Sequence, residues 1–233
     1  MTNTKIIQWK RISVEAAAIF VGILLAFSID AWWNDKQESL QKERMVAALI
    51  VDFERTREAL LGSIEDVEAR MADATKLLTL SNDNETPVED LRRLFFNSIS
   101  AELFRPSMTT YNSGVATGKL DMLETPDLQK AFSDFLYWWQ GYTQTADMTM
   151  DVFFRGSAWD VRRSVGKLAI LYREPAELPA RFRLSESEYR ELLGRNEVHA
   201  LIDNMRDLHA NKLWAFRGME AAAGTILIEL EKQ

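Results

Sequence analysis

Hydrophobic positions along this chain fall into two patterns. From Ala16 to Phe27 the sequence AAAIFVGILLAF is apolar without interruption, and beyond Asp35 the apolar residues recur at helical intervals. Taken from Val14 to Trp33 the first segment has 20 residues, about 30 Å as a helix, which matches a hydrocarbon core. Trp9 precedes it and Trp32 and Trp33 follow it, the placement that two membrane–water interfaces select. The pattern predicts a short basic tail at 1–11, a transmembrane helix at 12–34 and an extramembrane helical domain at 35–233. A cleaved signal peptide is the rival reading, because a basic start, an apolar core and Ala26-Phe27-Ser28 also suit a processing site.

Between Asp35 and Leu80 the only glycine is Gly62, and there is no proline. Val46, Phe53, Leu60, Val67 and Ala74 recur every seven residues, and Ile50, Arg57, Ile64, Met71 and Leu78 form a second register. All but Arg57 are apolar, so the segment reads as a long helix with a coiled-coil seam. Its partner is either another chain or a helix of its own chain. SNDNET at 81–86 is a polar turn, and Thr86-Pro87-Val88-Glu89 has the form of a capping box that opens a helix to about Leu103. Thr109 or Thr110 can cap a short helix, Gly118 can stop it at positive φ, and Thr125-Pro126 starts the next helix, towards Gly156. Pro175 and Pro179 mark a loop over Tyr172–Leu184. Ser185-Glu186-Ser187-Glu188 is another capping box, with its helix ending near Gly194. The last helix is expected from about Asn196 to Glu231. No segment alternates with period two. The fold class is therefore all-α, a helical bundle whose long first and last helices pack antiparallel.

Within the apolar segment one face stands out. Glu15, Ala18, Gly22, Ala26 and Asp30 recur at intervals of three or four and occupy an arc of about 120°. Small residues at this spacing let two membrane helices approach closely, so Ala18, Gly22 and Ala26 form a candidate packing face. The carboxylates Glu15 and Asp30 lie at its two ends. The plain reading of them is interfacial: Glu15 beside Arg11 at i−4, Asp30 at the headgroups.

Composition narrows the function. The net charge is −7; with +3 over residues 1–13 and −2 within the span, the remainder carries −8. An acidic domain lacks the basic face that nucleic-acid binding needs. There is no cysteine, which removes disulfides, thiol nucleophiles and thiolate metal sites. Lys10 and Arg11 abut the start of the span, which favours a cytoplasmic N-terminus and a periplasmic domain, although Lys36, Lys42 and Arg44 balance the count.

Two stretches carry a family resemblance: Glu15, Gly22–Ile29 and Trp32 in the span, and Thr110-Tyr111, Gly118-Lys119-Leu120, Leu123 and Leu128 in the middle. Together they resemble a bacterial family of small membrane-anchored proteins, domain of unknown function 6090. That family combines a glutamate-bearing N-terminal span, a long helix and a Thr-Tyr…Ser-Gly-Lys-Leu segment. The resemblance covers the span, the helix after it and about residues 105–136. The chain departs from it at Gly114, where leucine is usual, and at Asp30-Ala31, where asparagines are usual. It implies an architecture and no activity.

Candidate chemistry is sparse. His199 and His209 are the only histidines, about 15 Å apart along one helix, too far to share a metal; His199 with Asp203 reads as a surface hydrogen bond. Phe95-Phe96, Trp138-Trp139 and Phe153-Phe154 with Trp159 read as core, and Tyr111 as a packing residue. No nucleophile elbow, phosphate loop or calcium loop occurs, and no cofactor or catalytic residue is expected. The expected function is a non-enzymatic module anchored in the bacterial inner membrane. Its partners would be the lipid bilayer, further copies of itself and other envelope proteins. The alternatives are an ion-conducting or proton-coupled subunit using Glu15 and Asp30, and a ligand sensor acting through a separate partner.

Overall fold

The computed structural model describes residues 9–100, 103–123, 125–165 and 184–233. Among them every regular element is helical: α1 (Trp9–Leu80), α2 (Val88–Ile99), α3 (Thr109–Ala116), a 3-10 turn (Leu120–Leu123), α4 (Pro126–Phe154), α5 (Ser157–Val165), α6 (Glu186–Leu193) and α7 (Asn196–Leu230). Except for Leu184, the proline-marked loop at 172–184 lies outside the described residues. The chain divides into two units, Met1–Ala48 and Leu49–Gln233.

The second unit is a bundle built around α7, whose most extensive contact is with α4. Residues 49–80 of α1 run antiparallel to α7. Arg57 Nε donates to Glu220 Oε1 at 2.8 Å, and Arg217 Nη2 donates to Glu68 Oε1 at 2.6 Å, so numbers rise on one helix as they fall on the other. Towards one end of the bundle the core is aromatic. Phe53 packs on Phe132 and Phe135, while Phe104, Trp139, Tyr142 and Phe216 contact one another. Tyr142 brings a hydroxyl into this core, and that oxygen accepts a 2.7 Å bond from the buried Phe104 N–H, so neither group is left unpaired. The other end is largely aliphatic, with Leu77, Leu91, Leu94, Phe95, Leu193, Leu201 and Met205 in one cluster.

The seam of α1 differs from the expected one in a single register. Phe53, Leu60, Val67 and Ala74 are buried as the heptad predicts. The second buried line, however, is Leu49, Thr56, Ser63 and Leu77, with Arg70 half-buried between Ser63 and Leu77. Ile50, Ile64, Met71 and Leu78, one residue further along, are only half-buried, and Arg57 is exposed. A hydroxyl is tolerated on the inner line when it finds a partner: Thr56 Oγ1 accepts from the Ser107 N–H at 2.9 Å.

The start signals at Thr125 and Ser185 hold, and the one at Thr86 is replaced. Thr125 caps α4, accepting from the Leu128 N–H, with Pro126 in the first turn; Ser185 and Glu188 form the complete capping box of α6. Thr86 does not cap α2. Its hydroxyl donates instead to Asp83 Oδ2 at 2.6 Å, Asp83 Oδ1 accepts from the Glu85 N–H, and Pro87 stands at the helix start without a side-chain cap. Arg190 then donates to the Asp83 and Thr86 carbonyls, tying this turn to α6. Helix α2 also stops short of the expected Leu103, because Ser100 turns extended at ψ 140°.

Candidate functional site

In the N-terminal unit, Glu15, Ala18, Gly22, Ala26 and Asp30 lie on one continuous helix, and each is exposed. A Cβ added at Gly22 would meet nothing within 4 Å. The large apolar side chains around this face are exposed as well, Phe20 at 62% and Phe27 at 69%. Trp32 and Trp33 follow as a tilted pair with ring centroids 6.4 Å apart. Trp9 begins the helix, but its side chain lies outside the described residues. By length and composition this part of α1 is apolar enough to cross a bilayer, a test that a signal sequence also passes.

In the second unit the charged groups of the interior were not legible in the sequence. His209 is 1% exposed, and Lys212, one turn along α7, is 2% exposed. His209 Nε2 donates to the Ser98 carbonyl at 2.9 Å, since a carbonyl can only accept. The proton therefore sits on Nε2, and Nδ1 is buried without a partner. Burial pushes the imidazole down to about 4, against the Ser98 bond and aided by the charges of Lys212 and Arg70. Burial likewise pushes Lys212 down to about 8, with Arg70 acting in the same sense. These groups come together because α1 presents Arg70 on its inner line where α7 presents His209 and Lys212. Among the described residues they line none of the four clefts with the best-defined walls.

His199 makes no bond to Asp203, which pairs with Arg206 at 2.6 Å. No group of three His, Asp or Glu side chains at metal-ligand spacing occurs among the described residues.

The segment that carries the middle of the family resemblance is organised by a residue from α1. Asp52 Oδ1 accepts from Ser107 Oγ at 2.8 Å, and Oδ2 accepts from the Thr110 N–H at 3.0 Å. Asp52 thus caps α3 from another helix, in place of the Thr109 or Thr110 side chain expected there. At the other end Gly118, φ 66°, closes the helix: its N–H bonds to Val115 O, and the Lys119 N–H bonds to Gly114 O. Tyr111 packs on Phe132 at 4.9 Å, as a packing residue should.

The aromatic pairs split between core and surface. Phe95 is buried, but Phe154 is 63% exposed and Trp159 is 38% exposed, contrary to the core reading. Trp138 and Trp139 are half-buried and face different neighbours: Trp139 joins the aromatic core, while Trp138 meets Trp214 beside an open cleft between α4 and α7.

Comparison with known protein families, curated proteins and solved structures finds no match. The family resemblance accordingly rests on the residues quoted for it.

Proposed function

We propose that this chain is a non-enzymatic helical module, anchored in the bacterial inner membrane by residues 12–34, which self-associates through that span and presents its bundle to the periplasm. One observation carries the reading: every described residue from Ser13 to Lys36 is exposed, including the whole apolar run. In water a bare apolar helix of this length is strongly unfavourable, whereas in lipid its backbone bonds are internally satisfied and its side chains match the solvent. The Ala18–Gly22–Ala26 face supplies the close approach that association in lipid requires. Glu15 and Asp30 share that face and so favour ion or proton coupling as the second reading, because association would turn both carboxylates away from lipid.

The test is alkaline carbonate extraction of membranes carrying the chain, followed by intact-mass measurement of the retained product. Retention at the full 26.8 kDa supports the anchor. A soluble product cut near Ser28 would replace it with a signal peptide. Activity of a periplasm-only reporter fused after Gln233 checks the orientation.

A further inference from the structure

Helices α4 and α7 leave between them an open cleft of about 400 Å³, within the size range of small-ligand sites. Three aromatic side chains build one part of it. Trp138 and Trp214 meet edge to face with centroids 4.6 Å apart, and Tyr137 stands 5.2 Å from Trp138. Tyr137 and Trp214 are 65% and 64% exposed and each contacts Trp138, so the exposed aromatic surface is clustered rather than scattered singly. Gln140, Gln144 and Asn211 surround them, all exposed, and no hydrogen bond within the described residues occupies their amides.

The cleft carries no charged side chain, although 27% of the chain is charged. That excludes most ligand classes. An anion finds no cation, and a cation finds no carboxylate. The edge-to-face rings offer an ammonium group single open faces and no enclosing aromatic cage. A purely apolar ligand would strip water from three amides without replacing their hydrogen bonds. A neutral pyranose satisfies every part: its C–H face lies flat on an aromatic plane, and its rim of hydroxyls both donates and accepts, as an amide does.

We propose that this cleft binds a neutral saccharide, stacked on the indole of Trp214 and held at its hydroxyls by Gln144 and Asn211. The site stands independently of the membrane span.

The full chain in lipid nanodiscs is titrated calorimetrically with maltotetraose, cellotetraose and tetra-N-acetylchitotetraose, up to about 20 mM. Glycoside detergents must be avoided because their headgroups would occupy the cleft. At least one of the three should bind, and an anionic uronate tetramer should bind no more tightly. Trp214→Ala should weaken binding at least ~10-fold, and Gln144→Ala or Asn211→Ala roughly 3-fold or more. Trp214→Phe, which retains a smaller face, should fall between wild type and Trp214→Ala and covers the case in which the alanine variant misfolds. Absence of binding by all three sugars overturns the proposal, as does equal affinity for wild type and a folded Trp214→Ala. If no sugar binds and Trp214→Ala alters the oligomeric mass, the surface is a protein contact instead.

Discussion

Gly218 on α7 lies directly against the indole of Trp138 on α4. A Cβ at Gly218 would stand 2.3 Å from Trp138 Cδ2 and 2.4 Å from Cε2. These are rigid ring atoms rather than the end of a flexible chain, so the indole can sit here only because residue 218 has no side chain. Gly218→Ala should therefore move Trp138 or push the helices apart, at a cost of about 1–3 kcal/mol. In a chain of this size that lowers the melting temperature by ~2–4 °C per kcal/mol. Thermal unfolding followed by circular dichroism measures it. The double variant Trp138→Ala/Gly218→Ala should lose less than the two single changes added together, because the clash disappears with the indole.

Asp52 should act as the cap of α3 despite lying 58 residues before Thr110. Burial pushes its carboxyl up. The hydrogen bonds from Thr110 and Ser107, together with the charge of Arg55, outweigh that and hold it below the usual carboxylate range. A depressed carboxyl stabilises the fold above its unfolded pKa of about 3.9 and loses that contribution as pH falls through the lower folded value. Asp52→Ala should cost about 0.5–2 kcal/mol at pH 7, in the range of cap deletions. The deficit relative to wild type should shrink as pH falls below about 4. Parallel denaturant titrations at pH 7 and pH 3 make the comparison.

The outline of the fold was legible because helix signals are local. The box at Ser185, the Thr125-Pro126 start and the Gly118 stop each act within a few residues, and each is present. The register of α1 was not legible, because Ile50, Ile64 and Met71 are more apolar than Thr56, Ser63 and Arg70, the residues on the inward line. What holds Thr56 inward lies far away in sequence, the Ser107 N–H that bonds to its hydroxyl. The same distance hides the Asp52 cap, whereas Thr86 is lost as a cap to a local competitor, Asp83 three residues earlier, which holds its hydroxyl. Of the span face, the spacing could be read directly, since a helix fixes it without any tertiary partner.

His209 should make the bundle acid-sensitive. Its folded pKa, pushed down to about 4 by burial, lies below the unfolded value near 6.5. The unfolded chain therefore binds the proton first on acidification. Stability is full above about pH 6.5, falls through the interval down to about 4, and then levels off. The loss is roughly 3 kcal/mol at most. Lys212, depressed to about 8 beside Arg70, adds a rise in stability between about pH 8 and 10.5 by the same linkage. His209→Gln should lower stability at pH 7, because Ser98 O and the surrounding cavity are fitted to imidazole. It should also flatten the slope between pH 6.5 and 4. An unchanged slope would assign the acid sensitivity to carboxylates.

The span face gives the sharpest separation of assembly from mechanism. Nothing lies within 4 Å of a Cβ built at Gly22, so Gly22→Leu fits the isolated helix and leaves its insertion intact. In a pair of spans packed through Ala18, Gly22 and Ala26, the same leucine would hold the backbones apart. Lipid offers no hydrophobic drive to compensate, since packing itself supplies the attraction. If the spans self-associate as proposed, the mass measured by light scattering in mild detergent should therefore shift towards a monomer of 26.8 kDa, while carbonate extraction is unchanged. Glu15→Gln separates the remaining question, because it keeps size and hydrogen bonding and removes the charge. A carboxylate that only sits at the interface leaves both oligomer mass and ion flux into liposomes unaltered. One that relays ions loses the flux and keeps the oligomer. Should Gly22→Leu leave the mass unchanged, the spans do not meet through this face, and Glu15 and Asp30 have no shared environment in which to act together.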